Sequence, residues 1–271
     1  MIPNGLKQLW KEGRPALNGW LSIGSPFTAE IMAAQDFDSL TVDMQHGALD
    51  YSNLLPMMQA MRASGKTLMA RVPWNEPGVI MKAMDAGAYG IICPMINSRA
   101  EAEALVSTMR YPPHGTRSFG PTRVNFAAGS DYFSSANDEV LAIAMIETRE
   151  AIDNVQDIVT TPGLDAIYIG PADLTLGATN GALPPGFDRE EPEMLEIIHR
   201  ILKAAKDAGI RAGIHCGTPA YAAKAIGWGF DLTTISGDVR LLAGAAESTL
   251  SEARALLGQG DGNTDTATGG Y

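Results

Sequence analysis

The 271 residues carry 20 lysines and arginines against 31 aspartates and glutamates, a formal charge of −11, with 45% hydrophobic and 19% charged side chains. This balance excludes sequence-independent nucleic-acid binding and adhesion to anionic lipid, which both need clustered cations. No apolar run reaches the roughly 18–20 residues of a membrane span, and the opening "MIPNGLKQLWKEGRPALNG" lacks the charged-then-apolar layout of a secretory signal, so a cytoplasmic protein is expected.

In chain order, short β-rich apolar runs alternate with helical patterns up to about residue 257, the signature of parallel βαβ construction. The strand candidates are 16–24 "ALNGWLSIG", 37–44 "FDSLTVDM", 67–73 "TLMARVP", 90–96 "GIICPMI", 141–148 "LAIAMIET", 165–171 "DAIYIGP", 211–216 "RAGIHC" and 231–237 "DLTTISG". Between them, segments such as 76–86 and 190–208 place apolar residues at three- and four-residue spacing, and Gly65, Gly87 and Gly209 fit left-handed helix caps. Eight strand–helix units predict a single-domain (β/α)8 TIM barrel over 1–257. An open doubly wound sheet would need a glycine-rich phosphate turn after its first strand, and "SIGSPFTAEI" supplies one Gly there. Residues 111–132 are too long and aperiodic for an ordinary connection and are expected to form a lid. Residues 258–271, rich in Gly, Thr and Asp, are expected to be a disordered tail.

In such a barrel the loops after the strands carry the chemistry. Asp43 and His46 follow the second strand, Arg71 the third, Glu147 the fifth, Asp173 the sixth, His215 and Cys216 the seventh and Asp238 the eighth; Asp85 ends the third helix. Glu147 and Asp173 end neighbouring strands, where two converging carboxylates need a shared proton or a cation. All-oxygen ligation suits Mg²⁺ or Mn²⁺; the other reading makes these acids solvated loop residues or helix caps. Arg71 needs a partner in apolar surroundings and either offers its donors to a substrate oxygen or pairs with Asp43 or Asp85. An imidazole is the side-chain type suited to accepting and returning protons, which makes His46 a candidate for proton transfer, and a nearby Asp43 or Asp85 would fix its tautomer. His114 and His215 are weaker candidates, and His199 belongs to a solvent-facing helix surface. Cys93 and Cys216 are expected to be free buried thiols. None of the seven lysines falls within a strand, which argues against a Schiff base.

With those residues in view, the chain resembles the metal-dependent class II pyruvate aldolases of the HpcH/HpaI aldolase/citrate lyase family. The resemblance spans about residues 5–257 and rests on "VDMQHG", "ARVPWNEP", "MKAMDAGAYGIICPMI", "YPPHGTRSFGP", "IETREAIDN" and "YIGPADL". It implies that Glu147 and Asp173 bind the divalent ion, Mg²⁺ or Mn²⁺ with Co²⁺ or another ion as alternatives, and that a 2-oxo acid chelates it. Arg71 would hold the ketone or enolate oxygen. The turn formed by Gly170, Pro171, Ala172 and Asp173 would bind the substrate carboxylate through its backbone N–H groups. His46 would serve acid/base chemistry with Asp43 and Asp85 in support. The implied reaction is reversible cleavage of 4-hydroxy-2-oxo acids to pyruvate, or a related 2-oxo acid, and an aldehyde. The implied assembly is a homohexamer, a trimer of dimers, whose last helix packs on a neighbour.

Two departures stand out. Many relatives carry Gln where this chain has Met145, two residues before Glu147, and often Gly where it has Ser118. The alternative within the same family, an acyl-CoA lyase of the citrate lyase or malyl-CoA lyase type, would need cations for the CoA phosphates, and the low Lys and Arg count gives it no support.

Overall fold

The computed structural model describes residues 1–259. Strands β1 (Ala16–Leu21), β2 (Ser39–Asp43), β3 (Thr67–Arg71), β4 (Gly90–Cys93), β5 (Leu141–Met145), β6 (Ala166–Ile169), β7 (Arg211–His215) and β8 (Leu232–Gly237) close in sequence order into one parallel barrel, β8 pairing back to β1. Among the described residues the helices are α1 (Gly5–Lys11), α2 (Pro26–Ala33), α3 (Tyr51–Met61), α4 (Pro77–Asp85), α5 (Arg99–Met109), α6 (Val124–Ala128), α7 (Tyr132–Glu139), α8 (Arg149–Asp153), α9 (Val155–Val159), α10 (Pro171–Thr179), α11 (Pro192–Asp207), α12 (Pro219–Trp228) and α13 (Asp238–Leu256).

Strands β2 to β6 are buried along their whole length, because one face fills the barrel and the other lies under helices. The interior holds Trp20, Met69, Ile92, Ile143, Met145 and Tyr168, and Leu6 and Trp10 of α1 join this core. Trp10 places its ring in that apolar layer and donates its indole N–H to the Asp231 carbonyl at 3.0 Å. The larger outer core is the layer between strands and helices.

The predicted strands start within two residues of the observed ones, and all but the eighth, which ends with β8 at Gly237, overrun their ends, since the apolar pattern continues into the loops that carry the site. Gly65, Gly87 and Gly209 adopt the left-handed backbone expected of caps, with φ of 72°, 112° and 76°. Cys93 and Cys216 are buried and free. No helix among the described residues is long and apolar enough to cross a membrane. Of the predicted tail, residues 260–271 lie outside the described residues.

The lid expectation is corrected. Residues 111–132 lead from α5 into β5, so they lie at the N-terminal end of the barrel, away from the loops that follow the strands. There Ile2 donates its N–H to Ala128, Arg123 reaches the carbonyls of Ala86 and Met58, and Tyr111 packs against Phe119 and Phe133. The aromatics and arginines that suggested a cover instead anchor a long connection to the barrel floor.

Candidate active site

The closure of the barrel brings β2 and β3 into register with Asp43 opposite Arg71. Arg71 donates from Nε to Asp43 Oδ1 at 2.8 Å and from Nη2 to Oδ2 at 2.6 Å, a two-pronged pair with side-chain exposures of 9% and 3%. The indole N–H of Trp20 adds a bond to Oδ2 at 3.2 Å, and the backbone N–H groups of Gln45 and His46 donate to Oδ1 at 3.1 and 3.3 Å. Burial alone would raise the Asp43 pKa, but these donors, Arg71 foremost, hold it below the usual carboxylate range. Asp43 is thus an anchor that aims Arg71 and shapes the loop leading to His46. Nη1 of Arg71 has no protein partner among the described residues, and its guanidinium lies 4.9 Å over the Trp20 ring, lining the central cavity.

Glu147 lies two residues past β5 and is 2% exposed. Its Oε1 accepts the N–H of Met95 at 2.9 Å, and Met95 takes a left-handed φ of 56°, an uncommon conformation for a side chain with a Cβ. The other oxygen faces Gly170, where a Cβ would lie 2.8 Å from Oε2 and 2.9 Å from Met145 Cε. Only glycine lets the turn into α10 come this close. Burial first, then the negative charge of Asp173, pushes the Glu147 pKa up to about 7 against the opposing Met95 N–H and Arg71.

A buried carboxylate strained by a second carboxylate is the donor chemistry that a hard divalent cation relieves, so the residues present fit such an ion. No group of three or more His, Cys, Asp or Glu side chains gathers to hold a metal among the described residues. Asp173 stands in the first turn of α10, where the N–H groups of Ala172 and Asp173 have no intrahelical acceptor and favour an anion.

Several lining residues were not singled out by sequence reading. Trp20, Tyr168, Phe187 and Arg240 join Asp43, His46, Arg71, Ala172, Asp173 and His215 around a cavity of about 280 Å³. Their strand-end positions were a usable signal for Trp20 and Arg240; Phe187 sits in the loop after α10 and gave none.

His215 carries more than its sequence ranking. Asn18 accepts from the hydroxyls of Ser39 and Thr41 at 2.9 and 3.1 Å and donates to Thr234 Oγ1 at 2.9 Å. Thr234 contacts the Tyr168 hydroxyl at 2.6 Å, which contacts His215 Nδ1 at 3.3 Å. The direction that uses every hydroxyl hydrogen runs from Thr234 to Tyr168 to Nδ1, leaving the ring proton on Nε2. Burial, with help from Arg71, pushes the His215 pKa down to about 3, so the ring is neutral. It stacks on Phe187 at 4.8 Å and meets Trp20 edge-on at 5.0 Å.

The remaining candidates fall elsewhere. Asp85 ends α4 and is paired at 2.7 Å with Arg117, whose Nη1 also donates to Tyr132 at 2.9 Å; it does not line this chain's cavity. His114 is exposed beside a cleft at the barrel floor, and His199 is exposed and packs edge-on to Trp228. Asp238 is 3% exposed, and its oxygens accept the N–H groups of Ser22, Ile23 and Val239, tying β8 to the loop after β1.

An eight-stranded parallel barrel whose mouth joins two acids, a buried Arg–Asp pair and a helix N-terminus defines an enzyme for small anionic substrates. The family model of HpcH/HpaI aldolase/citrate lyase matches residues 18–242, and the chain belongs to that family. It is 42% identical over 253 residues to the hydroxypyruvate/pyruvate aldolase of Rhizorhabdus wittichii, covering 93% of this chain and 100% of that one. It is 32% identical over 241 residues to the 5-keto-4-deoxy-D-glucarate aldolase of Salmonella paratyphi A, covering 88% and 92%. Among solved structures, an HpcH/HpaI aldolase/citrate lyase family protein from Burkholderia cenocepacia superposes with a TM-score of 0.85 at 32% identity, covering 93% and 99% of the two chains.

The closeness of Gly170 to Glu147 yields a first prediction. Gly170→Ala forces the turn away from Oε2 and is expected to weaken Mn²⁺ binding at least about tenfold, because Cβ contacts under 3.0 Å must be relieved by moving backbone or carboxylate. Calorimetric titration of Mn²⁺ into the variant checks it; unchanged affinity would show that the turn does not set the carboxylate's position.

Proposed function

We propose that this chain is a class II aldolase that reversibly cleaves 4-hydroxy-2-oxo acids to pyruvate, or a related 2-oxo acid, and an aldehyde. The observation that carries this reading is the buried Glu147 carboxylate, strained by Asp173, at the mouth that also holds the Asp43-anchored Arg71. Glu147 and Asp173 would hold a divalent ion, Mg²⁺ or Mn²⁺, which when bound supplies positive charge for the enolate that develops on bond cleavage.

The chain's own residues do the rest. The N–H groups of Ala172 and Asp173 bind the substrate carboxylate. Arg71 donates to the ketone oxygen from the guanidinium edge that Asp43 leaves uncovered, and this contact strengthens as that oxygen gains charge. His46 accepts the C4 hydroxyl proton through a water; the C3–C4 bond then breaks, its electron pair passes toward the ketone oxygen as the aldehyde leaves, and the proton returns to C3. Trp20, Phe187 and His215 shield this end of the cavity from bulk water. Lys66, the lysine nearest a strand, precedes β3 and donates to the Phe37 carbonyl at 2.8 Å, which leaves a Schiff base without a nucleophile at the mouth.

The test is aldol addition of pyruvate to a panel of aldehydes with and without EDTA. Activity is expected to vanish with EDTA, return with Mn²⁺ or Mg²⁺, and survive borohydride with pyruvate without any mass increase; a borohydride-trapped adduct would overturn the reading. His46→Ala is expected to lower turnover about 10²–10⁴-fold while Mn²⁺ affinity stays within about twofold, the signature of lost proton transfer without lost metal binding.

A homohexamer, a trimer of dimers in the cytoplasm, completes the reading. Its support is α13, which buries only Asp238 and leaves Leu242 and Leu256 65% and 82% exposed, an apolar surface that a second copy would cover. Light scattering on the wild type and on Leu242→Glu is expected to show a hexamer and a smaller species; a monomeric wild type would contradict it.

A further inference from the structure

Away from the mouth, the floor of the barrel holds another cleft, of about 70 Å³, beside the turns that lead into β3 and β4. Arg62, Lys66 and Arg123 line it, and no aspartate or glutamate does. Among the described residues their side chains donate to backbone carbonyls alone: Arg62 to Phe126, Lys66 to Phe37 at 2.8 Å, and Arg123 to Ala86 and Met58. Carbonyls satisfy donors without cancelling charge. Elsewhere on the floor cations meet carboxylates, Lys7 and Arg110 at Asp165, Lys206 and Arg211 at Asp231. Three cations left without a counter-ion in one cleft stand out in a chain with eleven more acids than bases.

Arg123 is seated there by the backbone. Gly87 has a φ of 112°, and a Cβ at that position would lie 2.6 Å from Arg123 Nη1, so glycine admits the guanidinium where another residue would not. Burial first, and then the like charge of Arg62, presses the Arg123 pKa below the usual arginine value. Two guanidinium groups are thus held close enough to repel, and an anion between them would turn one repulsion into two attractions.

We infer that this cleft binds a phosphate group, carried by inorganic phosphate or by a small phosphate ester whose remainder extends into solvent. A dianion answers two or three cations where a carboxylate answers one, and guanidinium forks match its oxygens. The volume, well below the roughly 300 Å³ of pockets that enclose a drug-sized ligand, fits one phosphate and excludes a nucleotide. The cleft lies at the opposite end of the barrel from Glu147 and Asp173, so the inference stands apart from the aldolase reading.

The experiment titrates inorganic phosphate and glycerol 3-phosphate, at fixed ionic strength, into full-length enzyme loaded with Mg²⁺ and with oxalate to fill the mouth. Calorimetry is expected to show one equivalent of phosphate bound with a Kd of about 1 mM or tighter, the scale of two charge-assisted hydrogen bonds. Thermal melts are expected to rise by about 3–6 °C at about 20 mM phosphate. Arg62→Gln is expected to weaken binding about tenfold or more and Lys66→Gln about threefold, while Arg62→Lys stays within about threefold of the wild type. Without phosphate, each variant should melt within about 2 °C of the wild type, because these side chains contribute charge more than packing. Tighter binding of glycerol 3-phosphate would assign the cleft to an ester, and tighter binding of inorganic phosphate to the free ion. The inference is overturned if no phosphate binds, or if Arg62→Gln binds it as tightly as the wild type. It is equally overturned if Arg62→Gln breaks the assembly seen by light scattering, since carboxylates of a second copy would then answer these cations.

Discussion

Glu147→Gln is expected to abolish divalent-ion-dependent turnover, a fall of about a thousandfold or more, while the protein folds normally. The amide keeps the shape of the side chain and an oxygen for the Met95 N–H, but it removes the negative charge that a hard cation requires. Binding should fail alongside turnover, so Mn²⁺ titration reads the effect independently of catalysis. The same substitution changes the pH dependence of stability. In the ion-free protein the folded carboxyl holds its proton up to about 7, against 4.5 for an ordinary glutamate. The folded state therefore binds more protons than the unfolded state across that window, and ion-free stability falls as pH rises through it. Urea unfolding of the EDTA-treated wild type should show this decline, and Glu147→Gln should flatten it; equal slopes would mean that Glu147 is not held in a desolvated, like-charged setting.

Arg71→Lys is expected to lower kcat about a hundredfold or more with little change in Mn²⁺ affinity. Lysine keeps the charge but loses the two-pronged grip on Asp43, and with it the fixed direction of the donor proposed to meet the ketone oxygen. The complementary change, Asp43→Asn, leaves a buried guanidinium without its counter-ion and is expected to cost about 3–5 kcal/mol of folding stability, because removing one partner of a buried pair exposes the full desolvation penalty of the other. Steady-state kinetics and denaturant melts of the two variants separate aiming from stability. An Asp43→Asn variant as stable and active as the wild type would show that the pair neither supports the fold nor positions Arg71.

Much of this site is visible in one dimension because a parallel barrel brings the ends of its strands together. Once eight strands are recognised, Asp43, Arg71, Glu147 and Asp173 follow as residues at one mouth, and the structure seats all four on or just beyond strand ends. Asp85 shows where that logic stops. It sits at the end of a helix, and helices in this fold run back toward the barrel floor, where Arg117 claims the carboxylate. Residues 111–132 mislead for the same reason, since length and aromatic content do not reveal which end of the barrel a loop occupies. Histidines also differ by setting. His215 has no motif to raise it above His114, and its role depends on a relay through Tyr168, Thr234 and Asn18 that comes from three different strands.

The most direct measurement is anomalous diffraction at the manganese edge from crystals grown with Mn²⁺ and a non-reactive 2-oxo acid analogue. The account predicts a single strong peak within about 2.0–2.4 Å of oxygens from both Glu147 and Asp173, with the analogue completing the coordination and Arg71 on its ketone oxygen. A peak that engages neither carboxylate, with the analogue bound elsewhere, would contradict it.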